Sequence, residues 1–375
     1  MAISRAFLLK TIDATVGLAA CRILGHVNAS NNADQTAPAE EIQRILLIRP
    51  GGMGDMLLLI PVIRAIAKRY PAAAIDIVCE KRNAQVLKMA AIECTPLLYD
   101  ARPFNVIRHL VKHTYDIAID TEQFHNLSAI VAYISNAPVR IGFKINPLRN
   151  PIYTHLINYA PDGSELLQFM RLVAPLAISS DNITIIGTLS EPVAATKNFP
   201  SDIASFMSSN RYAVIHAGCS SPLKQWLPQN FAAVLKELHL RYGLSAIIVG
   251  DSTDRTTAQN IVKSADAFGC QTISAADRLS ISDTANVIKH SSIFIGSDSG
   301  LAHLATALDV PSVVLFGPTD HLKWGYKDNR HAIVYKKLPC APCFIFGYHR
   351  PCKNNVCMKN IRPEDVLAAV DQVLQ

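Results

Sequence analysis

Short apolar runs alternate with longer amphipathic stretches along most of the chain. The apolar runs predict buried strands at 45–48, 75–78, 95–99, 116–120 and 139–143, then at 212–216, 246–249, 272–273, 293–295 and 312–316. Helical periodicity follows them at 56–69, 83–91, 104–113, 125–135 and 164–176, then at 228–241, 254–265, 281–290, 300–308 and 363–374. Pro61 predicts a kink in the first of these helices, or a late start. Alternating strands and helices are typical of a parallel sheet covered on both faces, so the pattern predicts an α/β fold.

Two such series fill the chain and predict two domains. A length of 375 residues also favours two domains. We predict an N-terminal extension and linker over 1–41, a first Rossmann-like domain over 42–190, an interdomain connection over 191–210, and a second Rossmann-like domain over 211–375. Ligands of such sheets bind beyond the carboxyl ends of the strands. Two domains facing each other would therefore form the active site in the cleft between them.

The N-terminal stretch has two interpretations. Residues 4–25 fit an amphipathic helix, which would either lie on an acidic membrane surface or pack on the first domain. Lys10 and Asp13 interrupt the apolar residues, so the stretch makes a poor signal peptide. No run of about 18 apolar residues occurs, and a membrane-spanning helix is not expected. Residues 28–39 are polar and predict a flexible linker.

Composition narrows the class of protein. Hydrophobic residues make up 50% and charged residues 18%, which supports folded cores and argues against disorder. The net charge of +6 is spread along the chain, so it gives little support to nucleic-acid binding. A mildly basic protein does suit anionic partners such as nucleotide diphosphates.

A glycine-rich segment follows the first predicted strand. Gly51, Gly52 and Gly54 allow a ligand to approach the backbone, and the helix start beyond them favours anions. The segment lacks the third glycine of a dinucleotide fingerprint and the Lys-Ser/Thr of a P-loop, which argues against a nucleotide-dependent oxidoreductase. Asp55 ends the segment and has two interpretations, a helix N-cap and a general base.

Three loops of the second domain carry further candidates. The turn Gly296–His303 opens a helix, where Asp298 suits sugar hydroxyls and His303 either faces the cleft or packs in the core. The unpaired N–H groups suited to a diphosphate are those of Ser299, Gly300 and Leu301. Lys224 lies in the loop after the strand 212–216 and suits a phosphate. Thr319 follows the strand 312–316 and suits either a cap or a ligand contact.

Metal sites have weak support. No Asp-x-Asp occurs, and Asp120-Thr-Glu122 is the nearest approach, so helix dipoles and cations would stabilise a leaving diphosphate. Near the C-terminus the sequence contains the cysteines Cys340, Cys343, Cys352 and Cys357. Their spacing fits a zinc site, but it also fits packed thiols or disulfides.

Together, four segments resemble glycosyltransferase family 9, the lipopolysaccharide heptosyltransferase family. They are Ile48–Asp55, Lys224–Trp226, Gly296–His303 and Phe316–Thr319. The resemblance implies a GT-B fold and an inverting enzyme that needs neither metal nor cofactor. It implies a nucleotide-sugar donor, ADP-heptose in the best-known members, and an acceptor in the lipopolysaccharide core. Such an enzyme would be cytoplasmic, with peripheral contact to the inner membrane.

The same resemblance assigns roles to residues. It matches Asp55 to the catalytic base, Lys224 to the donor-phosphate contact and Asp298 to the donor-sugar contact. It matches the backbone of Ser299–Leu301 to the diphosphate site and His303 to the last residue of that motif. The cysteine segment also resembles a C-terminal feature of some members. A non-catalytic sugar-nucleotide binding protein and a transferase with another donor sugar are the alternatives.

Overall fold

Two compact units make up the chain in the computed structural model, Met1–Thr184 and Ile185–Gln375. The structure describes residues 11–28, 41–160, 163–181, 183–189, 199–345, 348–349, 351–352 and 354–375. Each unit contains a six-stranded parallel sheet with helices between its strands. The prediction of an α/β protein with two Rossmann-like domains is therefore confirmed.

The first unit begins with a helix and then alternates strands and helices. Its strands are β1 (Arg44–Ile48), β2 (Ala74–Cys79), β3 (Thr95–Leu98), β4 (Ile117–Asp120), β5 (Val139–Phe143) and β6 (His155–Ile157). A π-helical turn, Asp13–Gly17, leads into α1 (Leu18–Asn28), and the later helices are α2 (Met53–Arg69), α3 (Lys81–Met89), α4 (Pro103–Lys112), α5 (Asn126–Ile134) and α6 (Glu165–Leu172). Short 3-10 turns lie at Asn150–Ile152 and Ala174–Leu176.

The second unit repeats this alternation. Its strands are β7 (Tyr212–His216), β8 (Ser245–Val249), β9 (Thr272–Ser274), β10 (Ile293–Ser297), β11 (Ser312–Phe316) and β12 (His331–Tyr335), followed by a hairpin of β13 (Phe344–Ile345) and β14 (Tyr348–His349). Its helices are α7 (Ser201–Ser209), α8 (Pro228–Tyr242), α9 (Arg255–Asp266), α10 (Ile281–Lys289), α11 (Gly300–Ala307), α12 (His321–Trp324), α13 (Val356–Lys359) and α14 (Pro363–Val373). Short 3-10 turns lie at Pro222–Lys224 and Ser252–Asp254.

Both sheets have the same strand order, reversed at the same place. The first sheet runs β3-β2-β1-β4-β5-β6, and the second runs β12-β11-β10-β7-β8-β9. In the first unit, β2 and β3 lie on one side of β1, and β4, β5 and β6 lie on its other side. In the second unit β7 and β10 meet in the same way. At such a switch point the loops leaving two neighbouring strands diverge and leave space for a ligand.

Four elements differ from the predicted ones. β6 and β12 were not predicted; β6 is only three residues long, and β12 is an edge strand with mixed polarity. The helix α2 begins at Met53, ahead of Pro61, so the predicted late start is wrong. Its buried residues run from Met56 to Ile63, and this burial outweighs the hydrogen bond that a proline removes. The helix predicted at 164–176 divides into α6 and a 3-10 turn.

The boundary between the units falls ahead of the predicted connection. Ile185 and Leu189 are fully buried, and the Leu189 amide donates to the carbonyl of Ala307 over 2.9 Å. These contacts tie residues 185–189, predicted within the first domain, to α11 of the second unit. Part of the predicted connection 191–210 forms α7. Residues 190–198 lie outside the described part of the chain.

The described part of the N-terminal extension packs on the first unit. Asp13 Oδ1 accepts a hydrogen bond of 2.8 Å from the Leu127 amide at the start of α5. Cys21 is fully buried in the core of the unit. The packed-helix interpretation therefore holds for residues 11–24, while residues 1–10 and 29–40, including most of the predicted linker, lie outside the described residues. Across the described ranges, no helix is both long enough and apolar enough to cross a membrane.

Gly142 in β5 is a sensitive position of the first core. A Cβ atom at Gly142 would lie 2.6 Å from the ring of Tyr153, which is fully buried. We expect Gly142→Ala to destabilise the protein by about 1–3 kcal/mol, since the buried ring would have to shift to admit the methyl group. Urea unfolding measures this change. Gly51→Ala is the control, because its Cβ would meet only Glu80 Oε1 at 3.9 Å, and an equal loss in both variants would contradict the steric argument.

Candidate functional site

A buried arginine organises the switch point of the first unit. Arg49 directly follows β1, and its guanidinium donates to the carbonyl of Gly51 over 3.0 Å and to that of Thr121 over 3.1 Å. The parallel pairing of β1 with β4 brings these two loops side by side. A single side chain therefore holds the glycine-rich segment against the loop after β4.

Asp55 lies beside this arginine in the first turn of α2. Its Oδ1 is 3.3 Å from Arg49 Nη2, and its side chain is 19% exposed, so the carboxylate is paired and still reached by solvent. The N-cap of α2 is Gly52, so the interpretation of Asp55 as the N-cap is wrong. Gly52 has φ of 74°, and a Cβ there would lie 1.9 Å from Asp55 Oδ2. Only glycine allows the carboxylate to fold back over the loop.

The carboxylates at the end of β4 and just beyond it are already paired with arginines. Glu122 Oε2 lies 3.8 Å from Arg49 Nη2. Burial raises the pKa of Glu122, but Arg49 and His125 outweigh burial and lower it to about 2. Asp120 accepts from Arg149 over 2.8 Å and from Tyr153 over 2.6 Å. Asp120 and Glu122 therefore each belong to a buried ion pair, with Arg149 and with Arg49.

The second unit has a buried ion pair at its own switch point. Lys224, in the loop after β7, lies 2.9 Å from Asp298, directly after β10. Both side chains are buried. Burial raises the pKa of Asp298, but Lys224 and His303 outweigh it and hold the pKa below its ordinary value. The predicted phosphate contact and the predicted sugar contact are thus direct partners.

The start of α11 lies next to this pair. Ser299 is the N-cap, with its hydroxyl accepting from the Ala302 amide and lying 3.1 Å from His216 Nδ1. Among the residues that the structure describes, the amides of Ser299, Gly300 and Leu301 have no hydrogen-bond acceptor. Helix N-termini with such amides favour anions. The predicted diphosphate position therefore has the backbone donors that a diphosphate requires.

His303 both packs and borders a concavity. Its ring makes edge contacts with Trp324 and Tyr326, with centroids 6.2 and 5.9 Å apart. The same ring lines a small concavity together with Asp298 and Thr306. Thr319 is buried in the turn after β11, which pairs with β10 and therefore brings the turn to the same edge of the sheet.

The C-terminal segment supports the Lys224 loop, a role that the sequence pattern did not reveal. Trp226 is fully buried and donates from Nε1 to the carbonyl of Ile361 over 2.9 Å. The Lys224 ammonium lies 5.6 Å from the ring centroid of Phe344, whose amide donates to Pro318. Residues more than a hundred positions away thus fix the lysine. The tryptophan two residues after Lys224 was the available signal for such an anchor.

Among the described residues, which include all nine cysteines, no disulfide forms. Cys340 and Cys352 are exposed, whereas Cys357 belongs to the core of the second unit. Burial is the main cause that raises the pKa of Cys357, which suits a packed thiol. Within the described ranges, no three His, Cys, Asp or Glu side chains are grouped as a metal site.

Comparison with known proteins identifies the family. A family model described as glycosyltransferase family 9 (heptosyltransferase) matches residues 104–353. The Escherichia coli protein named lipopolysaccharide heptosyltransferase 3 is 27% identical over 343 residues, which cover 86% of this chain and 96% of that protein. Lipopolysaccharide heptosyltransferase 1 of Pseudomonas aeruginosa is 24% identical over 318 residues, 80% of this chain and 86% of that protein.

Solved structures share the fold. The structure of E. coli ADP-heptose lipopolysaccharide heptosyltransferase II has a TM-score of 0.69 at 18% identity, covering 88% of this chain and 98% of that chain. The structure of an E. coli heptosyltransferase with ADP has a TM-score of 0.66 at 17% identity, covering 89% of this chain and 100% of that chain.

Two Rossmann-like units with carboxylates at their switch points, together with these matches, define a glycosyltransferase of the GT-B fold class. The chain belongs to glycosyltransferase family 9, the heptosyltransferase family. The resemblance to this family, which was inferred from four sequence segments, is confirmed.

The buried ion pair of Lys224 and Asp298 should make the free energy of unfolding depend on pH. Asp298→Asn leaves the Lys224 charge without its partner, and we expect a loss of about 3–5 kcal/mol in the free energy of unfolding at neutral pH. Because the folded pKa of Asp298 is lowered from 3.8, its contribution is present above that pH and is lost as pH falls through the folded value. Urea unfolding of the wild type and the variant at pH 7, and at a series of pH values that descends below 3.8, measures both effects.

The matched control is Asp298→Asn combined with Lys224→Met, which removes both charges. We expect this double variant to recover most of the stability at pH 7. A single variant as stable as the wild type would show that the pair contributes little.

Proposed function

We propose that this enzyme transfers heptose from ADP-heptose to the lipopolysaccharide core or a related glycan, by an inverting and metal-independent displacement. Family membership supports sugar transfer, and a fold neighbour solved with ADP supports the nucleotide. The observation that carries the proposal is the solvent-reachable carboxylate of Asp55, held at the start of α2 by Arg49.

The proposed reaction places the acceptor on the first unit and the donor on the second. Asp55 removes the proton of the acceptor hydroxyl as its oxygen attacks the anomeric carbon. The bond between that carbon and the diphosphate breaks in the same step, and ADP leaves with the electron pair. A single displacement of this kind inverts the anomeric centre. The transition state has oxocarbenium character, as in glycoside hydrolysis.

The donor site stabilises the departing diphosphate in this scheme. Lys224 contributes a charge, and the amides of Ser299, Gly300 and Leu301 contribute the helix N-terminus. Asp298, already paired with Lys224, receives the sugar hydroxyls. His303, which lines a concavity with Asp298, and Thr319, in the turn after β11, complete the donor side. Fixed donors of this kind stabilise charge as it develops, without a metal ion.

We also propose a cytoplasmic enzyme in peripheral contact with the inner membrane. A lipopolysaccharide acceptor is anchored in lipid, so the enzyme must reach a membrane surface. The positive net charge of +6 agrees with an anionic surface. Nucleic acid is not among the proposed partners.

Replacement of the proposed base tests the reaction. We expect Asp55→Asn to lower turnover of ADP-heptose with a core acceptor by about 10²–10⁴-fold, since a positioned base contributes that much. Calorimetric affinity for ADP should stay at the wild-type value. Asp266→Asn, on the exposed end of α9, is the matched control and should retain full turnover. Wild-type turnover in Asp55→Asn would refute the assignment.

Replacement of the proposed phosphate contact tests the donor site. Lys224→Ala removes a charged hydrogen bond worth about 1.5–3 kcal/mol, so we expect the Kd for ADP to rise about 10- to 100-fold. Titration calorimetry measures it, with UDP and GDP as comparison ligands that should bind more weakly to the wild type. Lys236→Ala, on the outer side of α8, should leave the Kd unchanged. If Lys224→Ala binds ADP with unaltered affinity, Lys224 does not contact the phosphate.

A further inference from the structure

The helix α4 presents an apolar stripe to solvent. Phe104, Ile107 and Val111 are 83%, 48% and 72% exposed. Their spacing of three and four residues places them on one side of the helix. The opposite side already supplies Val106 and Leu110 to the core of the first unit. The stripe is therefore additional to what folding requires, and exposed apolar patches of this kind mark interaction surfaces.

Exposed apolar side chains also occur on a nearby helix of the same unit. The helix α5 contacts both α4 and the N-terminal helix, so all three lie on the same side of the first sheet. In the N-terminal helix, formed by the π-helical turn Asp13–Gly17 and α1, Val16 and Ile23 are 60% and 66% exposed. We call Val16, Ile23, Phe104, Ile107 and Val111 the apolar face. Between its two halves, α5 adds half-buried apolar side chains.

Positive charge borders the apolar face. Arg108 and Lys112 are exposed and lie next to Phe104 and Val111 on the helical projection of α4. Pro103–Lys112 contains no acidic residue. On the described part of the N-terminal helix the only carboxylate is Asp13, which is turned inward onto the Leu127 amide. Apolar side chains beside long cationic ones are typical of helices that lie in a membrane interface.

We propose that the apolar face binds an anionic lipid surface, with Phe104 and Val111 among the acyl chains and Arg108 and Lys112 at the phosphates. The inference deepens the proposed peripheral membrane contact by naming the surface that makes it. A second copy of the chain is a poorer occupant. A two-fold interface would place this patch against itself and bring Arg108 and Lys112 of both copies together.

Vesicle flotation of the full-length protein, without donor or acceptor, tests the proposal. We expect the wild type to bind phosphatidylethanolamine vesicles containing phosphatidylglycerol and not vesicles of phosphatidylcholine alone. Phe104→Ser with Val111→Ser should weaken binding at least about tenfold, because the inserted apolar area is lost. Both side chains are exposed, so folding should survive. Leu240→Ser with Phe268→Ser removes comparably exposed apolar groups from the second unit and should bind like the wild type.

Charge reversal gives a second readout. Arg108→Glu with Lys112→Glu should abolish the dependence of binding on phosphatidylglycerol. Unchanged flotation of the Phe104 and Val111 variant would overturn the proposal. A lipid-free wild-type dimer that this variant dissociates would also overturn it, in favour of a second copy. Since no sugar is transferred in the assay, its outcome is separate from the donor and acceptor proposed above.

Discussion

The reversal of strand order in each sheet is the constraint on which the rest of this protein depends. Where β1 meets β4, and again where β7 meets β10, two parallel strands end side by side and their loops diverge. Residues far apart in sequence then share one small volume. Asp298 meets Lys224 across 74 positions only because β10 pairs with β7.

Each reversal holds a buried cation facing a carboxylate. Arg49 lies 3.3 Å from Asp55 in the first unit, and Lys224 lies 2.9 Å from Asp298 in the second. A buried charge is costly unless it is paired and hydrogen-bonded, so each pair constrains the geometry around it. The two pairs differ in access, since the Asp55 side chain is 19% exposed whereas that of Asp298 is 9% exposed. The proposed base is therefore the more exposed of the two carboxylates.

Some features were predictable from local pattern and others were not. Ten predicted strands correspond to observed ones, because buried parallel strands are short runs of branched apolar residues. β6 and β12 lie outside that pattern, because β6 is only three residues long and β12 mixes polar with apolar residues. The roles of Arg49 and Trp226 were also missed, although both residues lie inside the motifs. Their partners, Thr121 and Ile361, come from other parts of the chain.

The sequence by itself determined the alternation of strands and helices, the glycine-rich loop and the order of motifs that places the chain in its family. These are local properties, set by periodicity, by glycine conformations and by residue type. Tertiary structure alone decided that Gly52 rather than Asp55 caps α2, that Lys224 is paired with Asp298, and that the described N-terminal helix packs on α5. Each of these depends on which distant segments meet, and burial makes such meetings selective because an unpaired charge or an unfilled space is unfavourable inside a protein.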